Sequence, residues 1–486
     1  MIMWKILAAI GMSIGVLWAG PKPKPSEVTM QSIFTDNMVL QREVAVPIWG
    51  TAPAGTKVTV TFGQQKKTVE TQSNGKWMLK LDPMSVNAKP SNLDVTAGAE
   101  SLAIKNILVG DVYLCGGQSN MEVKMKEFGR PEDVKVATFP KIRYYDNISK
   151  DSSTWNECTP ESVLGCSAVG FYFARRIHQE TNLPIGLICN AVGSSRIERW
   201  IPEEGYAFMP DLLSKSGQPI QKAWDKYGSF FRMHTQYIVP FAIKSMIWYQ
   251  GEQNIWNNDS EKAYATKMKA LIGGLRKLFN VGDFPVYFVQ LPCMGKEDKG
   301  PGVAGGLWTG VQMAQRQSLD LANTGMVVAL DLNTPPNIHP ANKVDVGERL
   351  ALWALAKDYG KKDLVTSGPL YREMKVEGNK ARISFDYAEK GLMAGTKDGY
   401  EPVKEVTHDK IQMFAIAGEE ESQESGKKAL KWFAGDAVID GNDVVVSSPQ
   451  VKQPIAVRYA YGNAVFGPML YNKAGLPASP FESKPK

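Results

Sequence analysis

Five continuous apolar runs in the middle of the chain are the feature that most limits what it can fold into. They alternate with stretches in which apolar residues recur every three or four positions, as Val169, Phe173 and Ile177 do. Such runs suit strands that are buried on both faces, and the intervening pattern suits helices with one apolar face. The alternation predicts an α/β fold in which helices cover both sides of a parallel sheet. The runs are residues 112–114, 185–189, 245–249, 286–291 and 326–330.

The two ends of the chain have a different pattern. Apolar and polar residues alternate in VTVTF (58–62) and WMLKL (77–81), and Asn74-Gly75 between these segments is typical of a hairpin turn. Strand-like segments return after about residue 361, where DGND separates two of them. We therefore expect β-rich, sandwich-like regions on both sides of the α/β core. The predicted domains are a signal peptide at 1–20, an N-terminal β-rich domain at 21–108, an α/β domain at 109–360 and a C-terminal β-rich domain at 361–486.

The first residues, MIMWKILAAIGMSIGVLWAGPKPKP, have the pattern of a secretory signal peptide. Lys5 supplies a positive charge, residues 6–18 are apolar, and Ala19 and Gly20 are small residues near a cleavage point. The apolar run is shorter than the roughly 20 residues that span a bilayer, which makes a membrane anchor the weaker alternative. We expect a secreted or periplasmic protein that is not stably inserted in a membrane after cleavage.

Charge and cysteine content exclude some classes of function. The net charge is +6, but the lysines and arginines are spread along the chain without a basic stripe or a nucleic-acid motif, so no nucleic-acid partner is predicted. The five cysteines form neither a CxxC pair nor a cluster with histidine, so no metal site is predicted. Cys158 and Cys166 could close a small disulfide loop in an exported protein, although spacing alone does not establish a pair.

Polar residues follow the predicted strands at the place where an open α/β sheet binds its ligands, beyond the carboxyl ends of the strands. Ser119 follows the first run in GGQSNME, Gly193 follows the second in NAVGSSR, and Asn254 follows the third in QGEQN. His339 lies beyond the fifth run, in NIHP. A serine, a glycine turn, an amide and an imidazole on one edge are the parts of an acyl-transfer site: a nucleophile, donors for an oxyanion and a general base.

His339 is the best candidate for the base that a weakly nucleophilic serine hydroxyl needs. It follows a predicted core strand and precedes a helix, so it can reach the same edge of the sheet as Ser119. A loop or helix-cap role is the alternative. The chain has three other histidines, which lie on an arginine-rich helical face, in the segment FRMHTQ and in the C-terminal β region: His178, His234 and His408.

At these residues the sequence resembles the sialate O-acetylesterase family of SGNH (GDSL-like) serine hydrolases. The matching segments are GDVYLCGGQSNME, IWYQGEQN and NIHPANKVDVGERLA, together with the opening FTDNMVLQREVAVPIWG and the ending VRYAYGNAVFGPMLYNKAGLPASPF. The resemblance implies an SGNH-type three-layer α/β/α core. It also implies a secreted serine esterase that hydrolyses O-acetyl esters on sialic acid or related glycans through an acetyl-serine intermediate, without a cofactor.

The motif match implies a role for each site residue. Ser119 would be the nucleophile and His339 the base, while the N–H groups of Ser119 and Gly193 and the amide of Asn254 would hold the oxyanion. Three further residues are candidates for substrate binding, of which the arginine could hold a sialic acid carboxylate or form a surface ion pair. They are Gln118, Arg196 and Gln250.

The third member of the catalytic group is open, because Asn337 stands where relatives commonly carry an aspartate. Asn337 could hold the imidazole tautomer, as in Cys-His-Asn enzymes. Asp331 could serve instead from eight residues away, or Ser119 and His339 could act as a dyad. Glu252 is interpreted as a buried structural acceptor. Two other functions stay open: an acetylxylan-type polysaccharide deacetylase and a non-catalytic glycan-binding protein on an esterase scaffold.

Overall fold

The structure is a computed structural model. It describes residues 27–149, 154–214, 217–218, 220, 226–256, 259–294, 306–332, 337–406, 411–421, 428–464 and 467–483. The signal peptide predicted at residues 1–20 and His408 lie outside the described residues. Over the ranges given, no helix is long and apolar enough to cross a membrane.

The N-terminal region is built from short strands, as its alternating pattern predicts. The strands are β1 Thr29–Met30, β2 Val39–Gln41, β3 Val46–Thr51, β4 Lys57–Phe62, β5 Gln65–Glu70, β6 Lys76–Leu81, β7 Asn87–Ala97 and β8 Glu100–Gly117. One antiparallel sheet has the order β1-β3-β6, and β5, β4 and β7 lead into β8. The turn at Asn74-Gly75 connects β5 to β6, which belong to different sheets, so the predicted hairpin there is wrong. The hairpin lies instead at Gly63, where φ is +57° and β4 turns back into β5.

Strand β8 belongs to both the N-terminal region and the central sheet. Its first part pairs with β7 in antiparallel register, from Ala97 opposite Glu100 to Asn87 opposite Val109. Its second part, from Asp111 to Gly117, is the central strand of the parallel array. The burial pattern changes accordingly from largely exposed to continuously buried. The predicted boundary between residues 108 and 109 therefore lies inside one continuous strand.

The large mixed sheet continues from β8 through strands on both of its sides. These are β9 Phe139–Asp146, β10 Trp155–Cys158, β11 Ile185–Ala191, β12 Ser245–Tyr249, β13 Val286–Gln290 and β14 Thr324–Val328. The order is β10-β9-β11-β8-β12-β13-β14, and all neighbours are parallel except β10 and β9. The chain first adds strands on one side of β8 and then on the other. The carboxyl end of β8 is thus a topological switch point, where α/β sheets open a crevice for ligands.

Two of the three longest helices, Ala168–Thr181 and Glu261–Phe279, begin and end at residues with suitable capping chemistry. The side chains of Ser167 and Ser260 accept a hydrogen bond from the third helical N–H, as N-caps do. Asn182 and Asn280 end the same two helices in the left-handed conformation. The α-helices are Ser119–Glu122, Met125–Phe128, Pro131–Lys135, Ala168–Thr181, Ser229–Met233, Glu252–Ile255, Glu261–Phe279, Leu307–Gln317 and Lys343–Lys357.

Helices cover both faces of the parallel strands. On one face, Tyr113 of β8 packs against Phe173 of Ala168–Thr181, with ring centroids 4.8 Å apart. On the other, the Gln290 amide at the end of β13 donates to the main-chain oxygen of Gln312 in Leu307–Gln317. Successive residues of a strand point to opposite faces, so each strand contributes side chains to two apolar layers. The fold is mixed α/β, and the apolar runs read from the sequence form its buried strands.

The C-terminal region forms three further antiparallel sheets. Their strands are β15 Leu370–Glu377, β16 Lys380–Asp386, β17 Leu392–Thr396, β18 Lys404–Glu405, β19 Phe414–Glu421, β20 Lys428–Ala434, β21 Asp436–Asp440, β22 Asp443–Ser447, β23 Ala456–Tyr459, β24 Met469–Asn472 and β25 Phe481–Glu482. The DGND segment makes the tight turn between β21 and β22. The Lys397 ammonium lies 2.8 Å from the Asp345 carboxylate of helix Lys343–Lys357, which joins this region to the core. All five cysteines are buried and none is in a disulfide, so Cys158 and Cys166 do not close the small loop that their spacing allowed.

Candidate active site

A hydrogen bond joins the first two sequence-predicted residues. The Ser119 Oγ lies 2.8 Å from the His339 Nε2, although 220 positions separate them. Ser119 begins the short helix after β8, at the switch point of the sheet, and His339 lies in the loop before helix Lys343–Lys357. Both side chains are only partly buried. The pair therefore combines a hydroxyl, a nitrogen base and access from solvent.

Two glycines before Ser119 allow β8 to pack closely against β12. A Cβ atom at Gly117 would come within 2.1 Å of the main-chain oxygen of Tyr249, and φ there is +144°. A Cβ atom at Gly116 would meet the Trp248 ring at 2.8 Å. A side chain at either position would push β8 and β12 apart and displace the serine that follows.

The environment of His339 favours a neutral imidazole. Burial and the nearby positive charge of Lys343 both lower the pKa of His339 below its usual value of 6.5. The Phe128 ring packs edge-on at 6.4 Å between centroids. A neutral imidazole can accept a proton from the hydroxyl to which it is hydrogen-bonded, which is what a general base must do.

The structure gives neither Asn337 nor Asp331 a contact with the imidazole ring. The Asn337 side-chain oxygen accepts the main-chain N–H of His339 at 2.9 Å, so it shapes the loop. Asp331 is buried and accepts from both terminal nitrogens of Arg349 at 2.7 Å, an ion pair that commits both of its oxygens. Within the described part of the chain, which omits residues 333–336, Ser119 is the hydrogen-bond partner of the ring. The expectation that Asp331 orients the histidine is therefore not met.

Gly193 lies beside the serine and faces an acidic neighbour. A Cβ atom there would sit 3.7 Å from the Ser119 Cβ and 2.9 Å from a Glu122 carboxylate oxygen, so glycine keeps this space open. Burial raises the pKa of Glu122, and a hydrogen bond from the main-chain N–H of Gly193 opposes that shift. The N–H group expected to hold an oxyanion thus contacts a carboxylate in the free protein.

The Asn254 side chain is bound inside the protein, which argues against its predicted role as an oxyanion donor. Its amide is fully buried and donates one hydrogen to Glu198 at 2.9 Å and the other to Asp259 at 2.7 Å. Its oxygen accepts from the Ile197 N–H and the Gln250 amide. Carboxylates are stronger acceptors than ester carbonyls, so both amide protons are committed inside the protein.

The two glutamines predicted to bind substrate belong to this same internal network. Gln250 is fully buried; its amide nitrogen donates to Gln118 and Ser195, and its oxygen accepts from the Tyr264 hydroxyl. The Gln118 oxygen also accepts the main-chain N–H groups of Gly251 and Gln253. Gln250 thus supports the loop after β12 and is out of reach of a ligand, and Gln118 has only its amide nitrogen left for one.

Arg196 lines a cavity of about 750 Å³. Ser194, the residue after Gly193, also lines it. The cavity has one carboxylate, that of Glu198, whose oxygens are already bound by Lys267 and Asn254. Its lining therefore carries a net positive charge. The residues that line it are Ser194, Arg196, Glu198, Arg199, Lys226, Ser229 and Gln253.

Glu252 is a buried acceptor, as predicted, but sequence reasoning missed the polar cluster behind the dyad to which it belongs. Asn120 is fully buried and donates to Glu252 at 2.5 Å and to the main-chain oxygen of Ile338 at 3.0 Å, while its oxygen accepts from Lys343. A signal was present: Lys343 begins a helix, where the helix dipole disfavours a positive charge. A lysine at that position, in a segment so close to His339, indicates a specific partner.

Comparison with known proteins gives a consistent result. The family model of a carbohydrate esterase, sialic acid-specific acetylesterase, matches residues 109–356, just over half of the chain. Sialate O-acetylesterases from Pongo abelii and Homo sapiens are each 28% identical over 440 aligned residues, which cover 78% of this chain and 81% of the relative. The crystal structure of a carbohydrate acetylesterase from Xanthomonas citri superposes with a TM-score of 0.77 at 29% identity, covering 94% of this chain and 99% of that one.

Proposed function

We propose a function from one premise: the chain belongs to the carbohydrate esterase family of sialic acid-specific acetylesterases and is a carboxylic ester hydrolase. On that premise it removes O-acetyl groups from sialic acid or a related glycan through an acetyl-serine intermediate. The observation that carries the proposal is the 2.8 Å hydrogen bond between the Ser119 hydroxyl and the His339 Nε2. We also assign the parallel strands and the helices on their two faces to an SGNH-type core.

Ser119 and His339 carry out acylation. The neutral imidazole takes the hydroxyl proton as the Ser119 oxygen attacks the acetyl carbonyl carbon. The tetrahedral intermediate collapses, the bond to the sugar oxygen breaks, and that oxygen leaves with the proton returned by His339. The products of this half-reaction are the free sugar hydroxyl and an acetyl ester on Ser119.

Water then completes the reaction. His339 takes a proton from a water molecule, whose oxygen attacks the acetyl-enzyme carbonyl carbon. Collapse of the second tetrahedral intermediate releases acetate and returns the proton to the Ser119 oxygen. The low pKa of His339 keeps the base neutral at the start of both half-reactions.

The oxyanion is held by the main-chain N–H groups of Ser119 and Gly193. Ser119 is the first residue of a helix, where N–H groups have no partner within the helix. The Gly193 N–H contacts the Glu122 carboxylate in the free protein, so the substrate carbonyl oxygen replaces that carboxylate on binding. Asn254 contributes indirectly, because it holds the loop after β12 in place.

The sugar occupies the cationic cavity beside Gly193. The guanidinium of Arg199 lies 4.1 Å from the centroid of the Phe230 ring. This contact holds the guanidinium in a fixed orientation. Arg196 and Lys226 add two further positive charges to the lining. A carboxylated sugar such as sialic acid fits this charge because arginine pairs with carboxylates in a bidentate manner.

A neutral acetylated polysaccharide, such as acetylxylan, is the second candidate substrate. The Xanthomonas citri neighbour is described as a carbohydrate acetylesterase without a named sugar. Trp256 follows the helix Glu252–Ile255, is 53% exposed and offers a flat face for a neutral pyranose, whereas Trp200 and Trp248 are buried.

Acetate release tests the proposal directly. The full chain is assayed on an aryl acetate, on O-acetylated sialic acids and on acetylated xylan, beside Ser119→Ala. We expect hydrolysis by the wild type and a loss of kcat of about 10³-fold or more in the variant. Ser101→Ala, at an exposed serine of the strand β8 that leads to Ser119, is the matched control. Wild-type turnover by Ser119→Ala would refute the mechanism, and glycan binding without acetate release would favour a non-catalytic protein.

Export to the periplasm or beyond the cell completes the proposal. The support is the order of features in the first 20 residues: a positive charge, then an apolar run, then small residues. Mass spectrometry of the mature protein tests it: we expect a new N-terminus close to Gly20, and retention of Met1 in the mature protein contradicts export by this route.

A further inference from the structure

A buried cluster of three polar side chains, the Asn120 cluster, lies behind the dyad. It consists of Asn120, Glu252 and Lys343, which are 0%, 1% and 0% exposed. The three come from different segments: the helix after β8, the helix after β12 and the helix that follows His339. None of them contacts the reacting atoms in the chemistry described above. Groups of this kind are costly to bury unless they are paired, so their presence requires an explanation.

Asn120 connects the segment that carries the serine to the segment that carries the histidine. It follows Ser119 directly in the chain, and its amide nitrogen donates to the main-chain oxygen of Ile338, the residue before His339, at 3.0 Å. One amide therefore spans the gap between the two segments that meet in the 2.8 Å contact. A shift of this amide moves one segment relative to the other.

The two charged members of the cluster fix the orientation of the amide. Lys343 donates to the Asn120 oxygen, and Glu252 accepts from the Asn120 nitrogen. Burial raises the pKa of Glu252, and both the Asn120 hydrogen bond and the Lys343 charge oppose that shift, which favours the acceptor form. A flipped amide would place its NH₂ group against an ammonium and its oxygen against a carboxylate. Neutral partners would tolerate either orientation, whereas this pair of charges selects one.

We propose that Lys343 is a positioning residue for the esterase reaction, which holds Ser119 and His339 together through Asn120. This role rests on the proposed function, because it presumes that the dyad is the catalytic pair. Lys343 itself does not contact the reacting atoms.

The surroundings of Lys343 support an electrostatic part of this role. Its ammonium lies 5.1 Å from the centroid of the Phe128 ring, which packs in turn against the His339 ring, and 5.7 Å from the centroid of the Tyr249 ring. Burial lowers the pKa of Lys343 to about 7, and the Glu252 carboxylate opposes that shift. Burial is the larger cause of the lowered pKa of His339, and the positive charge of Lys343 lowers it further.

The sign of the pH effect follows from the charges. A positive Lys343 destabilises the imidazolium, so His339 stays neutral to a lower pH than it would alone. Catalysis needs the neutral form, so kcat/KM falls as pH drops through the pKa of His339. Removal of the Lys343 charge raises that pKa and moves the acidic limb of the profile to higher pH.

Two substitutions separate the hydrogen bond from the charge. Lys343→Met removes both, and Lys343→Gln keeps a donor for the Asn120 oxygen but removes the charge. The full chain is assayed on an aryl acetate from about pH 4 to about pH 9. We expect kcat to fall about 10²-fold in Lys343→Met, as for a misplaced catalytic group, and less in Lys343→Gln. The acidic limb should move to higher pH in both. Lys357→Met, an exposed lysine at the far end of the same helix, is the matched control.

The outcomes distinguish this inference from the proposed function. If the wild type hydrolyses the ester and Ser119→Ala does not, the proposed function stands. A folded Lys343→Met with wild-type kcat and a wild-type acidic limb then overturns the positioning role alone. A lysine that only stabilises the fold would lower the melting temperature and leave the limb where it is. If Lys343→Met does not fold, the near-isosteric Lys343→Gln decides by the position of its acidic limb.

Discussion

Two groups of polar residues lie at the carboxyl ends of the central strands, and they differ in how much hydrogen-bonding capacity they have left. Ser119 and His339 are partly exposed and share one hydrogen bond. Gln250 and Asn254 are fully buried and have every amide hydrogen committed to protein oxygens. Both groups come from equally distinctive motifs. The difference shows that a sequence motif gives the location of the site. Whether a side chain can bind substrate depends on whether it still has donors or acceptors that are not used within the protein.

The buried group has its own reason to exist. Lys267 binds both Glu198 and Asp259, and Asn254 bridges the same two carboxylates. Two buried carboxylates with one lysine have excess negative charge, and the amide protons of Asn254 compensate part of it. The network thereby fixes the loop after β12 and one wall of the cationic cavity.

Loss of the base should have the largest effect. We expect His339→Ala to lower kcat by about 10²- to 10⁴-fold on an aryl acetate, because the imidazole is the hydrogen-bond partner of the Ser119 hydroxyl among the described residues. The pKa of His339 is lowered from its usual 6.5, so the kcat/KM of the wild type should begin to fall only at pH values below 6.5. His178→Ala, whose ring nitrogen contacts the main-chain oxygen of Leu183, is the control. An unchanged kcat in His339→Ala would show that His339 is not the general base.

Asp331 should affect stability and leave turnover nearly unchanged. Asp331→Asn leaves the buried Arg349 without its ion pair, and we expect the free energy of unfolding to fall by about 3–5 kcal/mol in urea titrations. The kcat per folded molecule should stay within about twofold of the wild type. A large loss of kcat with unchanged unfolding would instead make Asp331 part of the catalytic group.

Asn254 gives a sharper test of the comparison, because its two possible roles predict opposite readouts. As a buried bridge, Asn254→Ala leaves Glu198 and Asp259 short of a donor, and we expect a loss of about 1–3 kcal/mol in unfolding free energy. As an oxyanion donor, it would cost about 10²- to 10³-fold in kcat without a loss of stability. Equilibrium unfolding and aryl acetate turnover of the same preparation decide between them.

Asn337→Asp should have the smallest effect. Either side chain can accept the main-chain N–H of His339, so the loop is kept, and we expect kcat within about twofold of the wild type. The acidic limb of the pH profile is the second readout. An increase in kcat of about tenfold, or 1.4 kcal/mol, would show that an acid at this position reaches the imidazole.

The central strands were the most predictable part of the fold. The run at residues 245–249 coincides with β12, and the run at 286–291 contains β13, because strands buried on both faces need an apolar residue at nearly every position. The Asn74-Gly75 hairpin failed for a different reason. A turn residue specifies local backbone geometry, and it does not specify which strands pair on its two sides.

The site was predictable in position and only partly in orientation. Ser119 and His339 could be placed on one edge because parallel strands end on the same side. The orientations of Asn254 and Asp331 could not, because each depends on a charged partner that is distant in the chain or in another segment, Glu198 in one case and Arg349 in the other. Lys343 was missed, although a lysine in the first turn of a helix is unfavourable and therefore indicates a specific partner.

Because strand β8 is shared, the N-terminal β-rich region cannot be separated from the segment that carries Ser119. A truncated protein that starts at residue 109 would lose half of the strand that leads to Ser119, along with its pairing to β2 and β7. The first residues of the remaining strand would lose their main-chain partners in β2, while Asp111–Gly117 would keep their pairing to β11, and unpaired strand edges promote aggregation. An evolutionary or engineering exchange of the leading β-rich segment must therefore carry the nucleophile's own strand with it, and the two cannot be shuffled as independent modules.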